Sequence, residues 1–247
     1  MEESYKPEKY LTVNCDDPDL MQVEIPLPQC GDITKIDGYN LPQEEQIFVK
    51  PIVPERLIEL EHSPQLFIDK KTLESNGALL SIKEFLEENY HEWKEEIDFI
   101  EEEWNKRLNG YWFYNNGSPT YITGTNYLYI SYWEIDIGIP EYRSRDRKFF
   151  IFADFCVNDK DSFGFIYPKH RREGATNKAQ VWLYETTSRM YRKHSGIQSA
   201  TEEHAKDVFT DHLVPGWKSL PFFFKPLFQG SDDPKKTMLF RMPASKS

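Results

Sequence analysis

Phe163-Gly164-Phe165-Ile166-Tyr167-Pro168-Lys169-His170-Arg171-Arg172-Glu173-Gly174-Ala175-Thr176 decides how the chain reads. Phe163 to Pro168 is expected to form a short buried strand, Lys169 to Glu173 a basic loop, and a helical pattern begins after Thr176. Strand, basic loop, glycine, hydroxyl and helix is the layout of a phosphate-binding loop. A helix N-terminus offers unpaired N–H groups and the positive end of its dipole, glycine admits close backbone approach, and the hydroxyl can hold a metal ion. No glycine opens the loop, and Ala175 rather than lysine precedes Thr176. The positive charge therefore sits early, on Lys169, Arg171 and Arg172. The alternative is a basic strand-to-helix turn that binds nothing.

Composition sets the bounds around this stretch. A chain of 247 residues can bury one sizeable core or two small ones. Its 39% hydrophobic and 15% aromatic residues exclude a disordered chain despite 29% charged residues. Cys15, Cys30 and Cys156 form no C-x-x-C pair and leave one over, which points to a reducing compartment. The six histidines lack metal-ligand spacing. No apolar run approaches membrane-spanning length, and the acidic start Met1-Glu2-Glu3-Ser4 is not a signal peptide, so a soluble, intracellular protein without a membrane partner is expected. A net charge of -11 argues against an unspecialised nucleic-acid coat. From Glu141 to Ser195, however, 12 Lys/Arg face 7 Asp/Glu, so positive charge gathers around the loop.

Upstream, residues 1–80 read as an N-terminal arm. Its first sixty residues are rich in proline, with short strands expected at Val23-Glu24-Ile25 and Gln46-Ile47-Phe48-Val49 and a short helix over Ile52 to Leu60. Residues 81–140 hold a long amphipathic helix and an aromatic hairpin. Ser81 with Glu84 makes a capping box, and Ile82, Leu86, Tyr90, Trp93, Ile97, Ile100, Trp104 and Leu108 form one stripe closed by Asn109-Gly110. The opposite face, Glu84 through Glu103, is acidic and reads as a solvated surface, with a metal or partner surface as the other possibility. Tyr111-Trp112-Phe113-Tyr114, a turn at Asn115 to Pro119, and Thr120-Tyr121-Ile122 give a hairpin. Tyr127 to Trp133 fits either a further strand or the start of a helix. Its rings read as core packing rather than as a base-stacking platform, because almost no Lys/Arg interleaves them.

Residues 141–247 carry the expected α/β core. Arg143 to Phe155 reads as a helix with a basic start. After the loop, Asn177 to His194 supports a helix with Ala179, Trp182, Leu183, Thr186 and Met190 on its face. Gly196-Ile197-Gln198 reads as a second short strand, and Ser199-Ala200-Thr201-Glu202 starts a helix that Val214-Pro215-Gly216 should stop. This βαβα rhythm predicts a parallel sheet with flanking helices, and Ser199 and Thr201 fall at a strand's carboxyl end, where such sheets bind ligands. Met238 to Arg241 is the last expected strand.

Taken together, the aromatic run from Gly110 to Trp133, the basic Tyr142-to-Asp154 segment, the Lys169-to-Thr176 loop and Gly196-Ile197-Gln198-Ser199 resemble the N-terminal ATPase portion of a tailed-phage large terminase subunit. The resemblance covers roughly residues 110–247 and implies a P-loop-type ATPase fold that drives duplex DNA into a capsid with ATP and Mg²⁺. It implies that Lys169 and Arg172 act catalytically on the phosphates, with His170, Arg171, Glu173, Gly174, Ala175 and Asn177 around the nucleotide. Thr176 would hold Mg²⁺, and Arg145 and Asp146 would lie near adenine. Ser199 and Thr201 resemble the element that couples nucleotide state to DNA grip. A small terminase subunit, a portal, a homo-oligomeric ring and the host cytoplasm follow as expectations.

The family also needs an apolar strand ending in Asp-Glu. Here Asp232-Asp233 lies in a polar turn and the Met238 strand ends in Arg241. The two-metal nuclease cluster has no counterpart either, so the chain reads as the front part of a longer motor that binds ATP without turning it over. A non-enzymatic nucleic-acid-binding or virion-assembly module and a helicase-like ATPase of another family are the competing readings.

Overall fold

Alternating aromatic residues on either side of Asn116-Gly117 build the most regular piece of the structure. Tyr111–Asn115 (β5) pairs antiparallel with Ser118–Ile122 (β6). The two turn residues take φ of 48° and 86°, the positive values that a two-residue hairpin turn of matching twist requires. The computed structural model describes residues 7–13, 23–63, 66–67, 80–168, 173–190, 192–228 and 233–242. Among these residues it is a mixed α/β chain whose strands pair in twos. The chain divides into two units, one of residues 1–50, 106–130 and 141–173 and another of 51–105, 131–140 and 174–247.

The first unit is organised on the hairpin. Tyr10–Val13 (β1) and Val23–Pro26 (β2) pair antiparallel, and Leu11 and Ile25 bury against Tyr121 and Ile151 with Trp112, Phe152 and Phe155 around them. The expected strand at Gln46 to Val49 is not formed. Ile47 and Val49 are exposed, while Gln46 turns inward and serves the hairpin turn. Its backbone carbonyl accepts from Asn116 N at 2.9 Å, and its Oε1 accepts from Gly117 N at 2.8 Å. A polar side chain thus supplies partners that a strand edge would otherwise have given. Tyr127 to Trp133, open between strand and helix in the sequence, begins in a helix, Gly124–Ser131.

The second unit's described helices begin with Glu55–Glu61 (α1), Ile82–Glu88 (α2) and Lys94–Asn109 (α3), the last running on into the first unit's residues. One long helix from Ser81 to Asn109 was expected, and two are found. The Ser81–Glu84 capping box is present, but Asn89 ends α2, its Nδ2 donating to Phe85 O at 2.8 Å. Asparagine competes for backbone partners in this way and breaks the ladder, leaving Tyr90 exposed. Leu60, Leu66, Ile82 and Leu86 form the core with Trp93, Ile97, Ile100 and Phe222. The acidic face is not wholly solvated. Glu96 is buried against Arg56 at 2.7 Å, and buried Glu103 accepts from Tyr132 Oη at 2.7 Å. Leu66–Phe67 (β3) and Leu80–Ser81 (β4) make a two-residue parallel pair.

With Gly124–Ser131 as α4, the remaining helices are Ser144–Asn158 (α5), Ala175–Ser188 (α6), Glu202–Val208 (α7) and Val214–Ser219 (α8). The expected stop at Val214-Pro215-Gly216 is instead a continuation. A π turn, Phe209–Leu213, joins α7 to α8 and puts Pro215 in the opening turn of α8, where a missing amide costs little. Gly216 has no room for a side chain, because a Cβ there would meet the Trp133 ring. Leu227–Phe228 (β7) pairs antiparallel with Phe240–Met242 (β8), which overlaps the expected last strand only at Phe240 and Arg241. No described helix is long and apolar enough to cross a membrane.

Tyr121 makes the stability of the first unit sensitive to alkali. Its hydroxyl donates to Asn109 O at 3.0 Å, and burial, with Asp154 adding to it, raises the phenol pKa to about 12. Below the ordinary tyrosine value of 10.0 both folded and unfolded states keep the proton, so the contribution is fully present. Above it the unfolded chain ionises first, and stability falls as pH rises towards 12. In urea denaturation, the loss between about pH 9 and about pH 11.5 is expected to be smaller in Tyr121→Phe by about 2 kcal/mol. Equal losses in both proteins would refute this.

Candidate functional site

Between Glu173 and Gly174 the chain passes from the first unit to the second, inside the loop that the sequence singled out. On the first unit's side, residues 162–168 are extended, but they belong to no sheet among the described residues. The expected buried strand is corrected accordingly. Phe165 sits against Phe149 and Phe152 of α5 at 6.0 and 5.7 Å, and Tyr167 lies 4.9 Å from Phe149. Phe163 and Ile166 stand at 106% and 93% exposure. Phe165 and Tyr167, two residues apart, share the side packed on α5, whereas Phe163, beyond Gly164 at φ of 132°, does not follow them.

Tyr167 Oη donates to Glu173 Oε2 at 3.2 Å, closing the basic loop at its base. Burial raises the Tyr167 phenol, the Glu173 bond and the charges of Glu173 and Asp146 raise it further, and Arg145 opposes them. Arg145 and Asp146, some twenty residues upstream, therefore share one electrostatic neighbourhood with the loop's two ends. Arg145 is exposed in the first turn of α5, whereas Asp146 is buried, 3.9 Å from Arg143 Nε. Lys169, His170, Arg171 and Arg172 lie outside the described residues.

Arg147 was missed by sequence reasoning. It is buried, its Nε donating to Tyr121 O at 2.6 Å and a terminal nitrogen to Glu8 at 2.9 Å. The available signal was an arginine facing the same way as Ile151 on an otherwise apolar helix.

On the second unit's side, Gly174 is the N-cap of α6 with φ of 67° and no side chain to cap with. Its carbonyl accepts from Lys178 N at 3.1 Å. Ala175, Thr176 and Asn177 form the first turn, whose amides have no earlier helical carbonyl to bond. Thr176 is exposed. Asn177 is buried, and its Oδ1 has no hydrogen-bond partner among the described residues. These groups fit a magnesium–phosphate ligand: open amides for oxygens, a free-standing hydroxyl for the ion.

The buried face of α6 differs from the expected one. Ala179 and Met190 are exposed, while Lys178, Val181, Tyr184, Glu185 and Ser188 turn inward. The spacing is helical, but polar residues occupy most of the inward positions, so hydrophobicity pointed to the wrong side. Residues 196–198 are extended and unpaired rather than a strand. Thr201 is the N-cap of α7, its hydroxyl accepting from His204 N at 3.2 Å, and Ser199 Oγ meets His204 Nδ1. Asp233 is held by Lys235 and, at 3.4 Å, by Lys218, and its carboxyl is lowered by them. No three His, Cys, Asp or Glu side chains converge among the described residues.

Compared with known proteins, the chain matches no family model, no curated protein and no solved structure.

Removing the Glu173 charge tests the local geometry. In Glu173→Gln the Tyr167 phenol is expected to ionise at lower pH than in the parent, yet still above the ordinary tyrosine value, because burial is the larger cause. Carbon-13 NMR of ring-labelled tyrosine reads this directly, and an unchanged titration would contradict the contact.

Proposed function

We propose that this chain is the ATP-binding part of a viral DNA-packaging motor, the large terminase subunit, built around a P-loop-type parallel sheet. The observation that carries the reading is Gly174. A left-handed glycine heads a fourteen-residue helix without a side-chain cap, immediately after a basic loop and immediately before an exposed threonine. The left-handed backbone itself favours glycine, and glycine leaves the first-turn amides without a side-chain oxygen. An anion at those amides would supply the missing acceptor.

In this reading Lys169 and Arg172 neutralise the β- and γ-phosphates, with His170 and Arg171 beside them and Thr176 holding Mg²⁺. When bound, the ion offsets the charge between phosphate oxygens. The extended segments 162–168 and 193–199 each run towards a helix, α6 and α7, which supports a βαβα order whose strands await partners. Duplex DNA, a small terminase subunit, a portal, a ring of copies and the host cytoplasm belong to the same proposal. Turnover is not expected from the chain alone: Asp233 is committed to two lysines, so it is poorly placed to activate water.

A non-hydrolysable ATP analogue tests this. At about 100 times its Kd with magnesium it should add about 2.7 kcal/mol, raising the melting temperature by roughly 5–10 °C. Chelation should reverse the shift, and Lys169→Ala with Arg172→Ala should abolish it, with no steady-state phosphate release. Salt-dependent DNA binding without any nucleotide shift would favour the non-enzymatic module, and robust hydrolysis would refute the turnover claim.

A further inference from the structure

A cleft of about 900 Å³ lies within the second unit, bordered by residues 192–197, by the inner half of α6, by α7 and by the approach to β8. That volume is at the upper end of the roughly 300–1,000 Å³ typical of ligand clefts. None of its lining residues belongs to the 163–177 loop, so what it binds is a question separate from the nucleotide.

Three features define what would fit. Along one wall, residues 193–197 are extended and make no backbone hydrogen bond among the described residues. Such a row of open N–H and C=O groups is a template for another strand. The floor is apolar, formed by Leu183, Phe209, Leu213 and Met238, and beside it Ser188 Oγ is buried with no hydrogen-bond partner among the described residues. The rim is cationic: Arg192, Lys193, Lys206 and Lys236 surround one lining carboxylate, Glu202, which is already shared between Lys206 at 2.8 Å and Lys236 at 3.3 Å. In a chain of net charge -11 this local excess of positive charge is against the trend.

We infer that this cleft takes an extended peptide strand with apolar side chains at alternate positions and carboxylates at its ends. Strand addition satisfies the open backbone through main-chain bonds, while every second side chain reaches the floor. A carboxylate at one end meets Arg192 and Lys193, which lack a described acidic partner, and one at the other end reaches the lysines around Glu202. A small organic anion would answer the floor and the rim but leave the backbone row open. A nucleic-acid strand would answer the rim alone, having no amide row to pair.

Fluorescence anisotropy with a labelled heptapeptide, valine at alternate positions and aspartate at both ends, tests the inference on the whole chain. The peptide is expected to bind saturably. Its Kd should rise at least tenfold when alternate amides are N-methylated, when lysine replaces the terminal aspartates, and in the protein variant Lys193→Glu/Lys236→Glu. The N-methyl arm needs no protein variant, so it stays decisive if the double substitution fails to fold. The magnesium–ATP analogue should leave peptide binding unchanged, whatever it does at the loop. Equal binding of the N-methylated peptide, no binding at millimolar peptide, or occupation by anilinonaphthalene sulfonate that the peptide cannot displace would overturn the inference. Self-association in sedimentation without peptide binding would overturn it too.

Discussion

The buried guanidinium of Arg147 is the constraint on which the first unit depends. It ties the first turn of α5 to the hairpin through Tyr121 O and reaches Glu8 in the N-terminal arm. Three segments separated by up to 139 residues are thereby held by one side chain. A buried charge of this kind is tolerable only with its partners in place, since losing the Tyr121 carbonyl or the half-exposed Glu8 leaves the guanidinium poorly matched. That requirement makes the position of α5 definite. Once α5 is fixed, Phe149 and Phe152 fix Phe165 and Tyr167, and Tyr167 fixes Glu173.

Among the described residues, aromatic packing on α5 and the Tyr167–Glu173 bond hold the ends of this stretch, while Phe163 and Ile166 of the preceding segment stay exposed. Both are large apolar side chains in full contact with water. Residues 193–197 repeat the theme in the second unit, where open backbone borders an apolar floor.

Much of this was legible in the sequence. The hairpin was readable because Asn116-Gly117 has few other uses between aromatic runs, and α5 because its basic start and apolar body differ so sharply. Arg145 and Asp146 act electrostatically on Tyr167, a link within the first unit that no sequence pattern showed. What was not legible had a common cause. Asn89, Gln46, Glu96, Glu103, Lys178 and Ser188 are polar residues engaged in structure: one breaks a helix, one replaces a strand edge, and four turn inward. Composition-based patterns assign such residues to solvent, so the long helix, the strand at Gln46 to Val49 and the buried face of α6 were all misplaced. The strands at 163–168 and 196–198 failed for another reason: their local preference for extension is met, but pairing depends on a neighbour that no local pattern encodes.

The central proposal is that a nucleoside triphosphate binds at the amides where Gly174 heads α6. Photolabelling with 8-azido-ATP and magnesium, followed by mass spectrometry of the digested chain, tests it most directly. The account predicts adducts confined to residues 142–177 and suppressed by unlabelled ATP. Adducts elsewhere that ATP suppresses, or none above a magnesium-free control, would contradict it.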